Sequence, residues 1–184
     1  WNYWVNNYLL GQNPPAFDIL YWNADTTNLT AGLHSDFLDL LSDNGLTRPG
    51  SIEVLGTPVD LGKVRCDSYV VAGATDHIIP WTAAYRTTQL LGGDSEFVLG
   101  SSGHIQAIVN PPGARRSRFM TGAGPPPPDP LEWRSGASTN DGSWWDHWLR
   151  WLGERSGDER RAPARLGNRR HPPIEPAPGR YVHL

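Results

Sequence analysis

The stretch Ser68-Tyr69-Val70-Val71-Ala72-Gly73 is a short, largely apolar run bounded by turn signals, and it restricts the possible folds more than any other feature of the chain. A strand with water on one side alternates apolar and polar residues. A strand that is apolar throughout is covered on both faces, which is the habit of parallel sheets. Asp76 and His77 follow in a loop, Pro80 stands where a first helical position would be, residues 81–91 read as helix, and Gly92-Gly93 ends it. Residues 95–99 read as a second buried strand, followed by Gly100-Ser101-Ser102-Gly103-His104. Strand, loop, helix, strand, loop is a βαβ unit, so the expected class is α/β.

That order places two titratable residues at the carboxyl ends of neighbouring strands, where open parallel sheets bind their ligands. Asp76 and His104 are 28 residues apart, the length that one crossover helix and one strand consume. Loops leaving adjacent strands can set a carboxylate on one imidazole nitrogen and leave the other to take a proton from a nucleophile. In α/β-hydrolase folds such a triad runs nucleophile, acid, histidine along the chain. Here the second and third members occur in that order. No Gly-x-Ser-x-Gly or Gly-x-Cys-x-Gly elbow is present, since Gly100-Ser101-Ser102-Gly103 has the wrong spacing. The chain starts at Trp1 and its one methionine is Met120. The expectation is therefore an internal or C-terminal piece of a longer protein, with the nucleophile upstream of Trp1.

Elsewhere the pattern is coarser. Trp1, Trp4, Val5, Tyr8 and Leu9 share one helical face, with Gly11 to Pro15 ending it; Leu33, Phe37, Leu40 and Leu41 mark a second helix stopped by Asn44-Gly45. Ile52-Glu53-Val54 alternates as a short strand does. The run Gly124-Pro125-Pro126-Pro127-Pro128-Asp129-Pro130 reads as a polyproline-like connector. Trp144, Trp148 and Trp151 recur at helical spacing beside Trp145, Leu149 and Leu152. Such stripes are normally packed, so a terminal helix lying on the sheet is the preferred reading over a surface that meets a hydrophobic polymer. Residues 155–184 have little apolar periodicity and read as extended, surface-hugging chain.

Composition removes whole classes. At 184 residues, 38% hydrophobic and 19% charged, the chain is neither a membrane protein nor a highly charged disordered one. No apolar run approaches the ~20 residues that span a bilayer. A net charge of −3 offers no general attraction to nucleic acid. The six histidines lack metal-ligand spacing, so no metal is expected, and no glycine-rich phosphate loop or dinucleotide fingerprint occurs. The one cysteine, Cys66, excludes an internal disulfide framework and fits a reducing compartment. It lies at the entrance of the first strand, away from the loops that hold Asp76 and His104, and has no glycine elbow. It reads as a small hydrophobe rather than a nucleophile.

Several rare aromatic segments resemble polyhydroxyalkanoate synthases: Trp1-Asn2-Tyr3-Trp4-Val5-Asn6-Asn7-Tyr8-Leu9, Phe17-Asp18-Ile19-Leu20-Tyr21-Trp22-Asn23-Ala24-Asp25, Asp76-His77-Ile78-Ile79-Pro80-Trp81, Ser102-Gly103-His104-Ile105 and Gly142-Ser143-Trp144-Trp145. Asn110-Pro111-Pro112 and the closing 175–182 segment match as well. The resemblance covers nearly the whole chain. It implies a partial α/β-hydrolase fold: the end of a cap subdomain at 1–63, the last core strands and helices at 64–153, and a Pro/Arg-rich tail at 154–184. It also implies an acyltransferase that polymerises (R)-3-hydroxyacyl-CoA into polyester and releases CoA through a Cys-His-Asp triad, with the CoA thioester as substrate and no cofactor.

On this resemblance Asp76 and His104 match the family's catalytic aspartate and histidine. His104 would deprotonate the thiol; Asp76 would orient His104 or help to activate the 3-hydroxyl of the incoming unit, and the sequence leaves both open. His77 is a candidate for support of the pair, since perturbed groups cluster at sites. Trp22 and Asp25 fall in a stretch that, in the family, lies near the dimer contact and the active-site entrance. Ordinary packing under a loop explains them equally well. The implied partners are the growing polyester, a second copy in a homodimer and the surface of cytoplasmic polyester granules. Two rivals remain at this level: a related esterase or intracellular polyester depolymerase, which would share the Asp and His loops, and a non-catalytic granule-binding protein.

Overall fold

The computed structural model describes residues 4–13, 26–114, 116–177 and 179–180. It divides into two compact units, 1–64 and 65–184.

In the first unit, Trp4–Leu9 forms one wide turn rather than a regular amphipathic helix. Leu10 N–H reaches back five residues to the Val5 carbonyl at 2.9 Å, and Trp4 stacks on Tyr8 with ring centroids 4.2 Å apart. The second expected helix is present as α1, Ala31–Asp43. Thr30 Oγ1 accepts the Leu33 N–H at its start, and Asn44 closes it at φ 49°, the left-handed conformation that asparagine tolerates best after glycine. The strand seen in the sequence at 52–54 is the first arm of a small hairpin, β1 Glu53–Val54 with β2 Thr57–Pro58. Its turn places both Leu55 (φ 49°) and Gly56 (φ 77°) at positive φ, the geometry that matches the twist of a two-residue hairpin.

The second unit is built on a four-stranded sheet in the order β3-β4-β5-β6, namely Ser68–Gly73, Ser95–Gly100, Arg118–Thr121 and Ser138–Asp141. The expected βαβ unit is there: β3 and β4 are parallel, in register from Ser68 opposite Ser95 to Gly73 opposite Gly100. Beyond them the sheet reverses, since β5 and β6 are both antiparallel to their neighbours.

One face of the sheet carries an aromatic core. Phe97 and Leu99 on β4 are buried against Trp81, Tyr85 and Trp133. Tyr85 and Trp133 each meet Phe97 edge-to-face with centroids 4.8 Å apart, the arrangement favoured by ring quadrupoles. Burial pushes the Tyr85 phenol up to about 12, and its hydroxyl donates to the Pro127 carbonyl at 2.6 Å. That bond, with Gln89 Nε2 donating to Pro126 O, fastens the proline connector to the core.

Three further local readings are corrected by the structure. Pro80 (ψ 130°) precedes the helix instead of occupying its first turn, and the expected 81–91 helix is two pieces, α2 Trp81–Tyr85 and α3 Thr87–Leu90. Thr88 Oγ1 donates to the Tyr85 carbonyl, so the Gln89 N–H turns to Arg86 O and the turn tightens. The proline connector ends one residue early: Asp129 caps α5, Pro130–Gly136, with Pro130 in its first turn. Trp133 on that helix is a core residue that proline content concealed.

The opposite face is covered by α6, Trp145–Gly153, as the tryptophan spacing suggested. Tyr69 on β3 meets Trp151 edge-on at 5.3 Å and bonds His147 Nδ1 at 2.8 Å; Phe119 on β5 packs near the same imidazole. Burial raises the Tyr69 pKa and lowers that of His147. The chain after α6 carries no helix or strand among its described residues. Arg155 ties its start to the body through Asp67 at 2.9 Å and by stacking over Trp151.

Glycine is obligatory where the crossover returns. A Cβ at Gly93 would fall onto the backbone carbonyls of Cys66 and Arg65, inside contact distance. Gly93→Ala in the full-length protein is therefore expected to cost about 1–3 kcal/mol through forced backbone movement. An unchanged denaturation midpoint would show that the segment before β3 yields freely.

Candidate active site

Because β3 and β4 end level, the loops that leave them lie side by side and are stitched together by their backbones. Ala74 N–H donates to Gly100 O at 2.8 Å and Thr75 N–H to Ser102 O at 3.3 Å. Asp76 then folds into a tight Asx turn, its Oδ1 accepting the backbone N–H groups of Ile78 at 2.9 Å and Ile79 at 3.0 Å. The second carboxylate oxygen, Oδ2, lies 2.9 Å from His104 Nδ1. The structure thus brings together the two residues singled out by strand order.

The electrostatics assign the tautomer. The Asp76 carboxyl is held well below the usual carboxylate range, at about 2, first by the Ile79 N–H and then, against desolvation, by His104 and the Ile78 N–H. At neutral pH it is an ionised, acceptor-only group, so Nδ1 carries the proton it receives. In the neutral ring Nε2 then holds the lone pair, and Nε2 has no protein partner among the described residues. The His104 side chain is 37% exposed while that of Asp76 is 9% exposed. The acid is enclosed and the base is open, which is the arrangement a proton acceptor with an orienting carboxylate requires.

One residue after His104, past the N-cap Ile105, comes α4, the single turn Gln106–Val109. It sits close on the strand ends because two glycines let it. A Cβ at Gly73 would lie 2.7 Å from Ser102 O and 3.0 Å from Ala107 Cβ, and one at Gly100 3.3 Å from Ala107 Cβ. The far end of α4 is held from the other side: Trp144 Nε1 donates to Ala107 O at 2.9 Å, Trp145 Nε1 to Ile108 O at 2.8 Å and Ser143 Oγ to Asn110 O at 2.6 Å. Nothing in the residue pattern tied Ser143, Trp144 or Trp145 to the site, although the Gly142-Ser143-Trp144-Trp145 segment they belong to is conspicuous.

The structure does not join the other described candidates to the pair. His77 is exposed, and no hydrogen bond joins its ring to the pair among the described residues. Cys66 is a free, exposed thiol before the amino end of β3, with the whole six-residue strand, about 20 Å, between it and the loop of Asp76. Trp22 and Asp25 lie outside the described residues. Among the described residues no group of three His, Cys, Asp or Glu side chains converges as a metal set would, and no helix is long and apolar enough to cross a membrane.

The alpha/beta hydrolase fold model matches residues 1–111, a stretch that includes both Asp76 and His104. The chain belongs to the alpha/beta hydrolase family. As an alpha/beta hydrolase it is similar over its whole length to curated proteins with one kind of name. It is 56% identical over 183 residues to poly(3-hydroxyalkanoate) polymerase 1 of Ectopseudomonas oleovorans, covering 100% of this chain and 33% of that protein. It is 46% identical to the poly(3-hydroxyalkanoate) polymerase subunit PhaC of Cupriavidus necator, covering 99% of this chain and 31% of the relative. The poly(3-hydroxyalkanoate) polymerase of Methylorubrum extorquens is 37% identical, with 100% and 30% covered. The chain spans about a third of the length of the curated relatives it matches.

The low Asp76 pKa has a direct consequence for stability. A carboxyl depressed in the folded state contributes stability that is complete above its unfolded value of 3.8 and disappears as pH falls towards about 2. Asp76→Asn keeps an oxygen for the Ile78 and Ile79 N–H groups but removes the charge. The gap in melting temperature between wild type and Asp76→Asn is expected to be widest above pH 5 and to close between pH 4 and 2. A gap that stays constant across that range would mean that the charge of Asp76 does not stabilise the fold.

Proposed function

We propose that this chain carries the acid–base half of a polyester-forming acyltransferase that consumes (R)-3-hydroxyacyl-CoA and releases CoA. The observation that carries the reading is the Asp76–His104 pair, its carboxylate enclosed and its imidazole partly exposed, in a family whose whole-chain relatives bear the polymerase name. In this reading the nucleophile is a cysteine on an elbow outside this chain. His104 Nε2 takes the thiol proton, the thiolate sulfur attacks the thioester carbonyl, and the collapsing tetrahedral adduct expels the CoA thiolate, which His104 protonates. The acyl-enzyme is then attacked by a 3-hydroxyl oxygen, whose proton passes to Nε2 as the new ester bond forms and the cysteine sulfur leaves. The CoA thioester is a substrate, and no further cofactor takes part.

The geometry favours one of the two roles left open for Asp76. Both its oxygens are occupied, Oδ1 by two backbone N–H groups and Oδ2 by His104, and the side chain is nearly enclosed. We assign it to orienting His104 and stabilising the imidazolium rather than to binding the substrate hydroxyl. The same reading takes residues 1–63 as the end of a cap subdomain, 64–153 as the last part of the hydrolase core and 154–184 as a tail. It places the protein, as a homodimer, at cytoplasmic polyester granules.

Proton transfer by a placed side chain is worth about 10²–10⁴-fold. His104→Ala in the full-length protein is expected to lose CoA release from 3-hydroxyacyl-CoA by that factor, measured by thiol titration, and the isolated 184-residue chain is expected to release none. Near-normal turnover in His104→Ala would overturn the assignment. Hydrolysis without polymer in the wild-type protein would move it to the esterase class.

A further inference from the structure

A helix of four residues cannot hold itself together, because nucleation costs more than one or two hydrogen bonds return. Its last carbonyls also lack partners within the helix. In α4 three carbonyls at or just past the C-terminal end, those of Ala107, Ile108 and Asn110, are each taken by a side chain more than thirty residues away. We propose that Ser143, Trp144 and Trp145 are positioning residues for His104, a three-point clamp that sets the height and angle of its imidazole. The proposal rests on His104 being the proton acceptor and goes beyond it by naming what holds that acceptor in place.

Three observations carry it. First, the indoles are only half-buried and packing alone would not require their N–H groups to point at successive carbonyls. Second, the Ser143 hydroxyl is almost fully enclosed and works twice, donating to Asn110 O and accepting the Trp145 N–H at 3.2 Å, so it couples the start of α6 to the end of α4. Third, α4 grips both sides of the histidine. Ala107 N–H bonds to Gly103 O, and the Ile108 and Val109 N–H groups bond to Ile105 O. With Gly73 and Gly100 as a close floor and the clamp as a ceiling, a shift of α4 is a shift of His104 relative to Asp76.

The test uses the full-length protein and 3-hydroxyacyl-CoA as probe. Trp144→Phe and Trp145→Phe keep an aromatic ring but remove the N–H donors; Ser143→Ala removes the third, and Ser143→Thr restores a hydroxyl. Trp148→Phe is the control, since Trp148 packs on Trp144 but makes no bond to α4 among the described residues. Small misplacements of a reacting group cost up to about 100-fold in rate, so each clamp variant is expected to lower kcat about tenfold or more with KM unchanged. Ser143→Thr should recover most of the loss, and Trp148→Phe should match wild type. Unchanged kcat in both Trp→Phe variants beside an inactive His104→Ala would overturn the clamp and leave His104 its role. An equal loss in Trp148→Phe would reduce the effect to packing and also overturn it. Near-normal turnover in His104→Ala would instead remove the reading on which the clamp depends.

Discussion

The parallel ladder between β3 and β4 is the constraint on which the rest of the second unit depends. Its register brings Gly73 level with Gly100, so two loops separated by a crossover leave the sheet at one height. A slip of one residue would turn Phe97 and Leu99 out of the aromatic core and bring Val98 in, which burial forbids. The same packing that fixes the core thus fixes where Asp76 and His104 can stand. The ladder ends in glycines on both strands: a Cβ at Gly73 would collide with the Ser102 carbonyl, and one at Gly100 would crowd Ala107.

Asp76 shows how one side chain divides its labour. One oxygen shapes the loop and the other faces the imidazole, so the turn that fixes the backbone also fixes the angle of the second lone pair. The low pKa follows from that division, since backbone donors favour the ionised form before the histidine contributes at all. Aromatic residues are divided in a similar way between the two faces of the sheet. Trp81 and Trp133 fill the core with Tyr85, whereas Trp144, Trp148 and Trp151 cover the other face with their rings tilted or edge-on.

What could be read directly from the residues was the part governed by local rules. The strands beginning at Ser68 and Ser95 announce themselves as apolar runs, α1 by its period and its Asn44-Gly45 stop, and the Asp–His pair by its place after two strands. The parts that escaped are governed by distant partners. β6, Ser-Thr-Asn-Asp, has no strand signal of its own and exists because β5 offers it a ladder. The break between α2 and α3 comes from one threonine hydroxyl competing for a carbonyl, and α5 hides behind a proline that opens a helix as readily as it ends one. The wide turn at Trp4 carries a helical period but not α-helical hydrogen bonding, because spacing records which side chains align and not which carbonyl an N–H selects. Tertiary bonds from Trp144 and Trp145 to α4 leave no local trace, since each indole would look the same if it faced water.

The dependence of α4 on residues far along the chain also bears on time. Regions of a protein open at different rates, and the least protected segment sets how often a site is intact. The turn that carries His104 has almost no cohesion of its own, so its amide protons should exchange together with those of the terminal helix rather than with the slower β4 beside it. On the proposed clamp, the pose of the His104 imidazole follows fluctuations of α6, and a proteolytic nick or a bound partner there would reach it without touching the sheet.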